Sequence, residues 1–154
     1  MPKKTTSPYL IIKKSKKHGW GAFAQKDIPA ETKIIEYVGK KVRNQDEDSD
    51  DDQDTVYTFE LNKKWDIDGD VPWNTAKYIN HSCNPNAETD IIKGKIWILS
   101  TRKIKKGEEI TYDYGFDLED FQDHPCRCGA KNCVGYIVDS DLRPKLKKIL
   151  RKKS

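Results

Sequence analysis

The sequence predicts a mostly β fold with short helical insertions and a basic C-terminal helix. Short runs of β-branched and aromatic residues recur along the chain, glycines punctuate them, and helical periodicity appears in only two places. In chain order, Leu10-Ile11-Ile12, then Lys33 to Val38, then Val56 to Leu61 read as strands. Glu88 to Ile92 and Ile96 to Leu99 flank Lys93-Gly94, a hairpin signature. Gly19, Gly21, Gly39, Gly69, Gly107 and Gly115 mark turns, and His18-Gly19-Trp20-Gly21 is placed in a turn between two strands. Thr75 to Ile79 predicts a short helical turn. Leu142, Leu146, Ile149 and Leu150 share one face of a helix from about Asp141 to Leu150.

At 154 residues the chain predicts one domain. Hydrophobic and charged residues each make up 35%, so a modest core must carry a heavily charged surface, and a structural metal would help it. No apolar run approaches the length of a membrane span. The net charge of +4 is too mild to indicate nucleic-acid binding by itself. Its distribution says more. Lys3, Lys4, Lys13, Lys14, Lys16 and Lys17 make the N-terminus basic, as Arg143, Lys145, Lys147, Lys148, Arg151, Lys152 and Lys153 do the C-terminus. Between them, Asp46, Glu47, Asp48, Asp50, Asp51, Asp52 and Asp54 form a self-repelling block. It reads either as a solvated loop or as an acidic lip that attracts a basic substrate.

All four cysteines fall in two places: Cys83, within Asn80-His81-Ser82-Cys83, and the cluster Cys126, Cys128 and Cys133. A tetrahedral zinc site needs a fourth ligand beside the clustered three, and Cys83 is the cysteine left to supply it. Free buried thiols and two disulfides are the alternatives. The opening Met1-Pro2-Lys3-Lys4 has no apolar leader, which favours a reducing compartment and hence metal.

Taken singly, Gly19-Trp20-Gly21 and Tyr37-Val38-Gly39 are weak signals. Asn80-His81-Ser82-Cys83-Asn84-Pro85-Asn86 and Gly107-Glu108-Glu109-Ile110-Thr111-Tyr112-Asp113-Tyr114-Gly115 are stronger, the latter setting two tyrosines on one side of an extended segment. In this order, with the Cys126 to Cys133 spacing after them, they resemble the SET-domain family of protein-lysine methyltransferases, from about residue 8 to residue 138. The resemblance implies a SET-domain β-clip in which the Asn80 segment and the following strand are threaded through a loop like a pseudoknot. It also implies a post-SET zinc segment, with no pre-SET region before the domain.

The resemblance further implies S-adenosyl-L-methionine as methyl donor, a lysine side chain as acceptor, and Zn(2+) held by Cys83, Cys126, Cys128 and Cys133. His18, Gly19, Trp20, Gly21, Asn80, His81 and Tyr114 are then expected at the cofactor, with Tyr136 covering its adenine. Tyr114 is expected to be the catalytic tyrosine, and Tyr37, Tyr112 and Phe116 to line the lysine channel, with Tyr57 a further candidate. An amine with a reference pKa of about 10.4 must reach the methyl group neutral, and a dry aromatic channel lowers that value. Tyr112, two residues before the catalytic tyrosine, is implied to act as the switch that limits the product to monomethyl-lysine. Lys77-Tyr78 departs from the family's usual Arg-Phe, a mild change.

The expected division is a disordered basic N-terminus (1–7), a SET domain (8–118, acidic loop 44–55), a post-SET zinc segment (119–138) and a basic helix or tail (139–154). The expected activity is lysine methylation of a histone tail or another basic DNA-associated protein, with weak nonspecific nucleic-acid contact through the basic ends and no membrane contact. The alternative is a catalytically silent SET-like module that binds chromatin or nucleic acid. The expected location is intracellular: nuclear or chromosomal in a eukaryote, cytoplasmic or secreted as an effector in a bacterium.

Overall fold

The structure is a computed structural model that describes residues 4–15, 19–43, 58–116, 118 and 121–153. His18, Tyr57 and the acidic block of residues 46–54 lie outside the described residues. The mostly β expectation holds, and the predicted strands appear where branched and aromatic residues cluster. These are β1 (Leu10–Lys14), β3 (Lys33–Tyr37), β8 (Ala87–Ile92) and β9 (Lys95–Ser100), with β5 (Thr58–Glu60) inside the Val56 to Leu61 run. Lys93 at φ 52° and Gly94 at φ 78° turn β8 into β9, as a two-residue hairpin with both residues left-handed requires.

Other strands exist because a partner imposes them. β2 (Trp20–Ala24) pairs along its whole length with β1. Trp20 and Gly21 thus belong to a strand rather than to the turn assigned to them. Ser15 N–H donates to the Gly19 carbonyl at 2.8 Å just beyond the β1–β2 ladder. β4 (Lys40–Arg43) and β6 (Trp65–Asp68) are polar in sequence but form a second sheet of order β4-β6-β5.

The main sheet runs β1-β2-β10-β8-β9-β3, where β10 is Glu109–Tyr112. The two-residue β7 (Asn80–His81) also pairs with β10, in parallel, with Asn80 opposite Thr111 and His81 opposite Tyr112. β10 is therefore inserted between β2, antiparallel to it, and the Asn80–Ala87 segment, parallel to it. These pairings build the mostly β, nearly closed sheet expected of a SET-domain β-clip. Ala22, Ile28, Ile79, Ile98, Ile104 and Ile110 fill the core beneath this crossing with no exposure.

The expected helices are present with shifted ends. A 3₁₀ turn spans Thr75–Tyr78, and another, Ser140–Leu142, leads into α1 (Arg143–Lys153). Asp139 caps this entry by accepting from Asp141 N–H at 2.9 Å. Leu146 is fully buried on α1 and packs with Phe121 and Val138. Within the N-terminal segment expected to be disordered, Thr5 N–H donates to the Trp73 carbonyl at 3.0 Å, and Ser7 Oγ donates to that of Ile34 at 2.5 Å.

Candidate active site

Gly21 lets β2 approach the Asn80 segment. A Cβ there would meet Glu109 Oε2 at 2.7 Å and Asn80 Nδ2 at 3.2 Å. Asn80 Nδ2 donates to the Trp20 carbonyl at 3.0 Å and to Glu109 Oε2 at 2.9 Å, while Ser15 Oγ donates to Glu109 Oε1 at 3.0 Å. Glu109 thus ties the glycine strand, Asn80 and β10 together, a role its place in the motif did not reveal. Gly19 has open space around it, and the Trp20 indole is half exposed. A cleft of about 280 Å³ opens here, lined by Asn80, His81, Asn86, Glu109, Thr111 and Cys128 among others. It is partly open to solvent, and Cys128 joins its wall to the cysteine cluster.

Asn86 shapes its floor. Its Nδ2 donates to the Glu109 carbonyl and its Oδ1 accepts from Thr111 N–H, both at 2.9 Å. One buried amide therefore fixes β10, which carries Tyr112 and leads on to Tyr114.

Tyr112 and Tyr114 lie on one side of that segment, with ring centres 4.9 Å apart. Tyr112 is buried and faces Phe59 of β5 at 6.0 Å, which meets Tyr37 edge-on at 4.5 Å. The Tyr37 ring occupies the room left by Gly69, where a Cβ would collide with it. Gly39 of Tyr37-Val38-Gly39 has a similar cause, since a Cβ there would strike the Asp68 carbonyl. Buried Asn74 holds this corner by accepting from Val38 N–H at 3.2 Å and donating to the Gly69 carbonyl at 3.0 Å. The ring series continues from Tyr114 to Phe116 at 5.7 Å and on to His124 at 4.7 Å. Phe59, Asn74 and His124 were not anticipated. Tyr136 is outside this ring series, edge-on to Phe121 at 5.0 Å and packed against the apolar cluster beneath α1.

The Tyr114 hydroxyl donates to the Ile79 carbonyl at 2.8 Å, one residue before Asn80. Tyr114 N–H donates to His81 Nδ1 at 3.0 Å. Nδ1 is therefore an acceptor, His81 is neutral, and its 3.7 Å approach to Asp113 is not an ion pair. The proton sits on Nε2, which faces Cys83 Sγ at 3.5 Å. His81 thereby links the tyrosine segment to the cysteine cluster.

The Sγ atoms of Cys83, Cys126, Cys128 and Cys133 all lie within 4.8 Å of one another, Cys83 and Cys126 at 3.9 Å. Zinc–sulfur bonds of about 2.3 Å place tetrahedral sulfurs about 3.8 Å apart, so this set fits zinc. Its electrostatics agree. Burial, then neighbouring thiols, push Cys83 far above the ordinary thiol range and Cys126 up to about 12. Burial also opposes ionisation of Cys128, but the Cys83 and Ala130 N–H groups and adjacent thiols outweigh it and bring Cys128 to about 6. Of these three, Cys128 ionises most readily, and a bound divalent cation would favour the thiolate form of its neighbours. Burial likewise raises the Asp113 carboxyl, despite the opposing charge of Arg143.

Residues 19–115 match the family model described as SET domain. The chain belongs to the SET-domain family. It is 40% identical over 134 residues to human histone-lysine N-methyltransferase 2D, and 40% identical over 135 residues to histone-lysine N-methyltransferase trr of Drosophila melanogaster. Each match covers 80% of this chain but only 2% and 6% of those relatives, so the chain spans a small part of their length. Among solved structures, KRYPTONITE, crystallised with DNA, a histone H3 peptide and SAH, superposes with a TM-score of 0.69 at 28% identity. That superposition covers 83% of this chain and 29% of KRYPTONITE. The Asn80-to-Asn86 and Gly107-to-Gly115 motifs both line the cleft, which Cys128 joins to the thiol cluster.

Proposed function

We propose that this SET domain is an S-adenosylmethionine-dependent protein-lysine N-methyltransferase acting on a histone tail or another basic, DNA-associated protein. The observation that carries the reading is the Tyr114 hydroxyl, held at the Ile79 carbonyl one residue before Asn80 while its ring packs in the aromatic series. The names of the relatives and the SAH and histone peptide in the KRYPTONITE crystal support the donor and the acceptor class.

Asn80, His81 and the backbone of Gly19, Trp20 and Gly21, with His18 before them, would hold the donor, and Tyr136 would cover its adenine. When bound, the donor supplies an electrophilic sulfonium methyl group. The Tyr114 hydroxyl, anchored on the Ile79 carbonyl, would orient the entering amine. Tyr37 and Tyr112, joined by Phe59, exclude water from the lysine channel, which lowers the amine pKa and favours its nucleophilic form. Ring faces tolerate the positive charge that remains, at roughly 0.5 to 2 kcal/mol per contact.

Zinc at Cys83, Cys126, Cys128 and Cys133 would pin residues 119–138 against the SET domain of residues 8–118, with 139–154 as a basic C-terminal element. Exposed lysines at both ends support a weak, salt-sensitive nucleic-acid contact. The thiol cluster suits a reducing intracellular compartment, next to chromatin in a nucleated cell.

The test is direct. Zinc-replete protein should be stabilised by SAH, by about 2.7 kcal/mol at a hundredfold excess over Kd. It should also transfer labelled methyl groups to histone H3 or to a basic protein in an extract, read by mass spectrometry. A protein that neither gains stability nor transfers label leaves the silent binding module as the correct reading.

A further inference from the structure

Arg143 opens α1 yet is only 8% exposed, an uncommon place for a side chain that keeps its charge at any accessible pH. Its donors diverge onto three parts of the fold. Nε donates to the Val138 carbonyl at 3.2 Å, Nη1 to the Cys83 carbonyl at 3.0 Å and Nη2 to Asp113 Oδ2 at 3.0 Å. A planar guanidinium can serve divergent acceptors at once, whereas an ammonium offers a single point of charge.

Asp113 stands between Tyr112 and Tyr114. Its Oδ1 accepts from Gly115 N–H at 2.9 Å and its Oδ2 also accepts from Ser140 N–H at 3.2 Å. Asp139 N–H donates to the Phe116 carbonyl at 2.9 Å. Residues 138–143 therefore grip residues 113–116 from outside. This matters because β10 ends at Tyr112. Tyr114 lies beyond the ladder, and strand pairing does not set its backbone.

We propose that Arg143 is a positioning residue: through Asp113 and the Cys83 carbonyl it sets the backbone that aims Tyr114. The C-terminal helix is then part of the frame of the active site rather than an appendage. The proposal rests on the methyltransferase reading above for its kinetic consequence, though not for its structural one.

The experiment uses zinc-loaded full chain and the variants Arg143→Lys and Asp113→Asn. With Arg143→Lys, kcat should fall about tenfold or more, as expected when a reacting group is slightly misplaced. KM for the peptide and Kd for SAH should stay within about twofold, the split expected of a group that matters at the transition state. Hydrogen exchange at the Tyr114 amide, now held by His81, should quicken by about tenfold while zinc content stays at that of wild type. Asp113→Asn should behave alike, and the double variant should be no worse than either single one, because both break one linkage.

Wild-type kcat and Tyr114 exchange in Arg143→Lys would overturn the proposal. So would losses that multiply in the double variant, or faster exchange confined to residues 143–153. Should Arg143→Lys fail to fold, the same measurements on Asp113→Asn decide. Should wild type transfer no methyl group to any protein, the methyltransferase reading fails, and Tyr114 exchange alone decides the positioning claim.

Discussion

Tyr37, Phe59 and Tyr112 stand on strands, in ladders backed by an isoleucine-rich core, whereas Cys126, Cys128 and Cys133 stand on almost none. Among the described residues from 121 to 138, regular structure amounts to one 3₁₀ turn, Phe121–Asp123, and an isolated bridge between Pro125 and Tyr136. The first region is held by many cooperative backbone bonds. The second is held by four sulfurs, one arginine and a small apolar cluster beneath α1. Two neighbouring halves of one site thus differ in what can dissolve them: the tyrosines should fail only with the fold, the cysteine segment under conditions the fold survives.

The sharpest way to test that division is to remove chemistry without removing structure. Tyr114→Phe deletes only the hydroxyl that meets the Ile79 carbonyl. It should lower kcat by about a hundredfold or more while SAH affinity by calorimetry and the melting temperature barely move. Retention of most of the rate would place the chemistry on another side chain.

Removing the metal should do the converse. Purified protein should carry one zinc per chain, and chelation or Cys133→Ser should abolish most of the stabilisation given by SAH, about 2.7 kcal/mol at a hundredfold excess. Exchange should rise across residues 121–138 while the far-ultraviolet β signal persists. Simultaneous loss of both regions on chelation would erase the distinction drawn between them.

Gly69→Ala attacks the rigid half. The added methyl collides with the buried Tyr37 ring, itself packed on Phe59. Overpacking of this kind costs about 1–3 kcal/mol, or a fall of about 2–10 °C in melting temperature for a chain of this size. Zinc content should be unchanged. An unaltered melting curve would mean that the ring corner yields more easily than its ladders suggest.

The smallest effect belongs to Tyr112→Phe. One hydroxyl beside Tyr114 amounts to about 0.5–1.5 kcal/mol, enough to shift product from mainly monomethyl-lysine toward dimethyl- and trimethyl-lysine. A wild-type time course that runs cleanly to trimethyl-lysine would refute the switch.

Which features could be read from the sequence follows the same division. β1, β3, β8 and β9 are legible because their branched residues favour a pleated, half-buried surface wherever it forms. β7 is only Asn-His, and β4 and β6 are largely polar; their pairing partners make them strands, and local propensity carries no trace of that. The four cysteines were legible because zinc constrains residue type as well as spacing. Phe59 was not, since residues two apart share one face of a strand, so alternation alone does not choose between positions 57 and 59. Glu109, Asn74 and Arg143 act through partners that their own neighbourhoods in the sequence do not announce.

The insertion of β10 between β2 and the Asn80 segment has a consequence for how the molecule comes into being. Ser15 and Glu109, which close this crossing, are 94 positions apart. A ribosome must therefore release nearly the whole domain before the central strand can enter, and pairings of such range form slowly. Until then the edges of β2 and of the Asn80 segment stand open, the state in which nascent chains meet chaperones or one another. Glycine strand, cleft and tyrosines come together only once β10 has emerged, so a chain truncated before β10 carries no partial site.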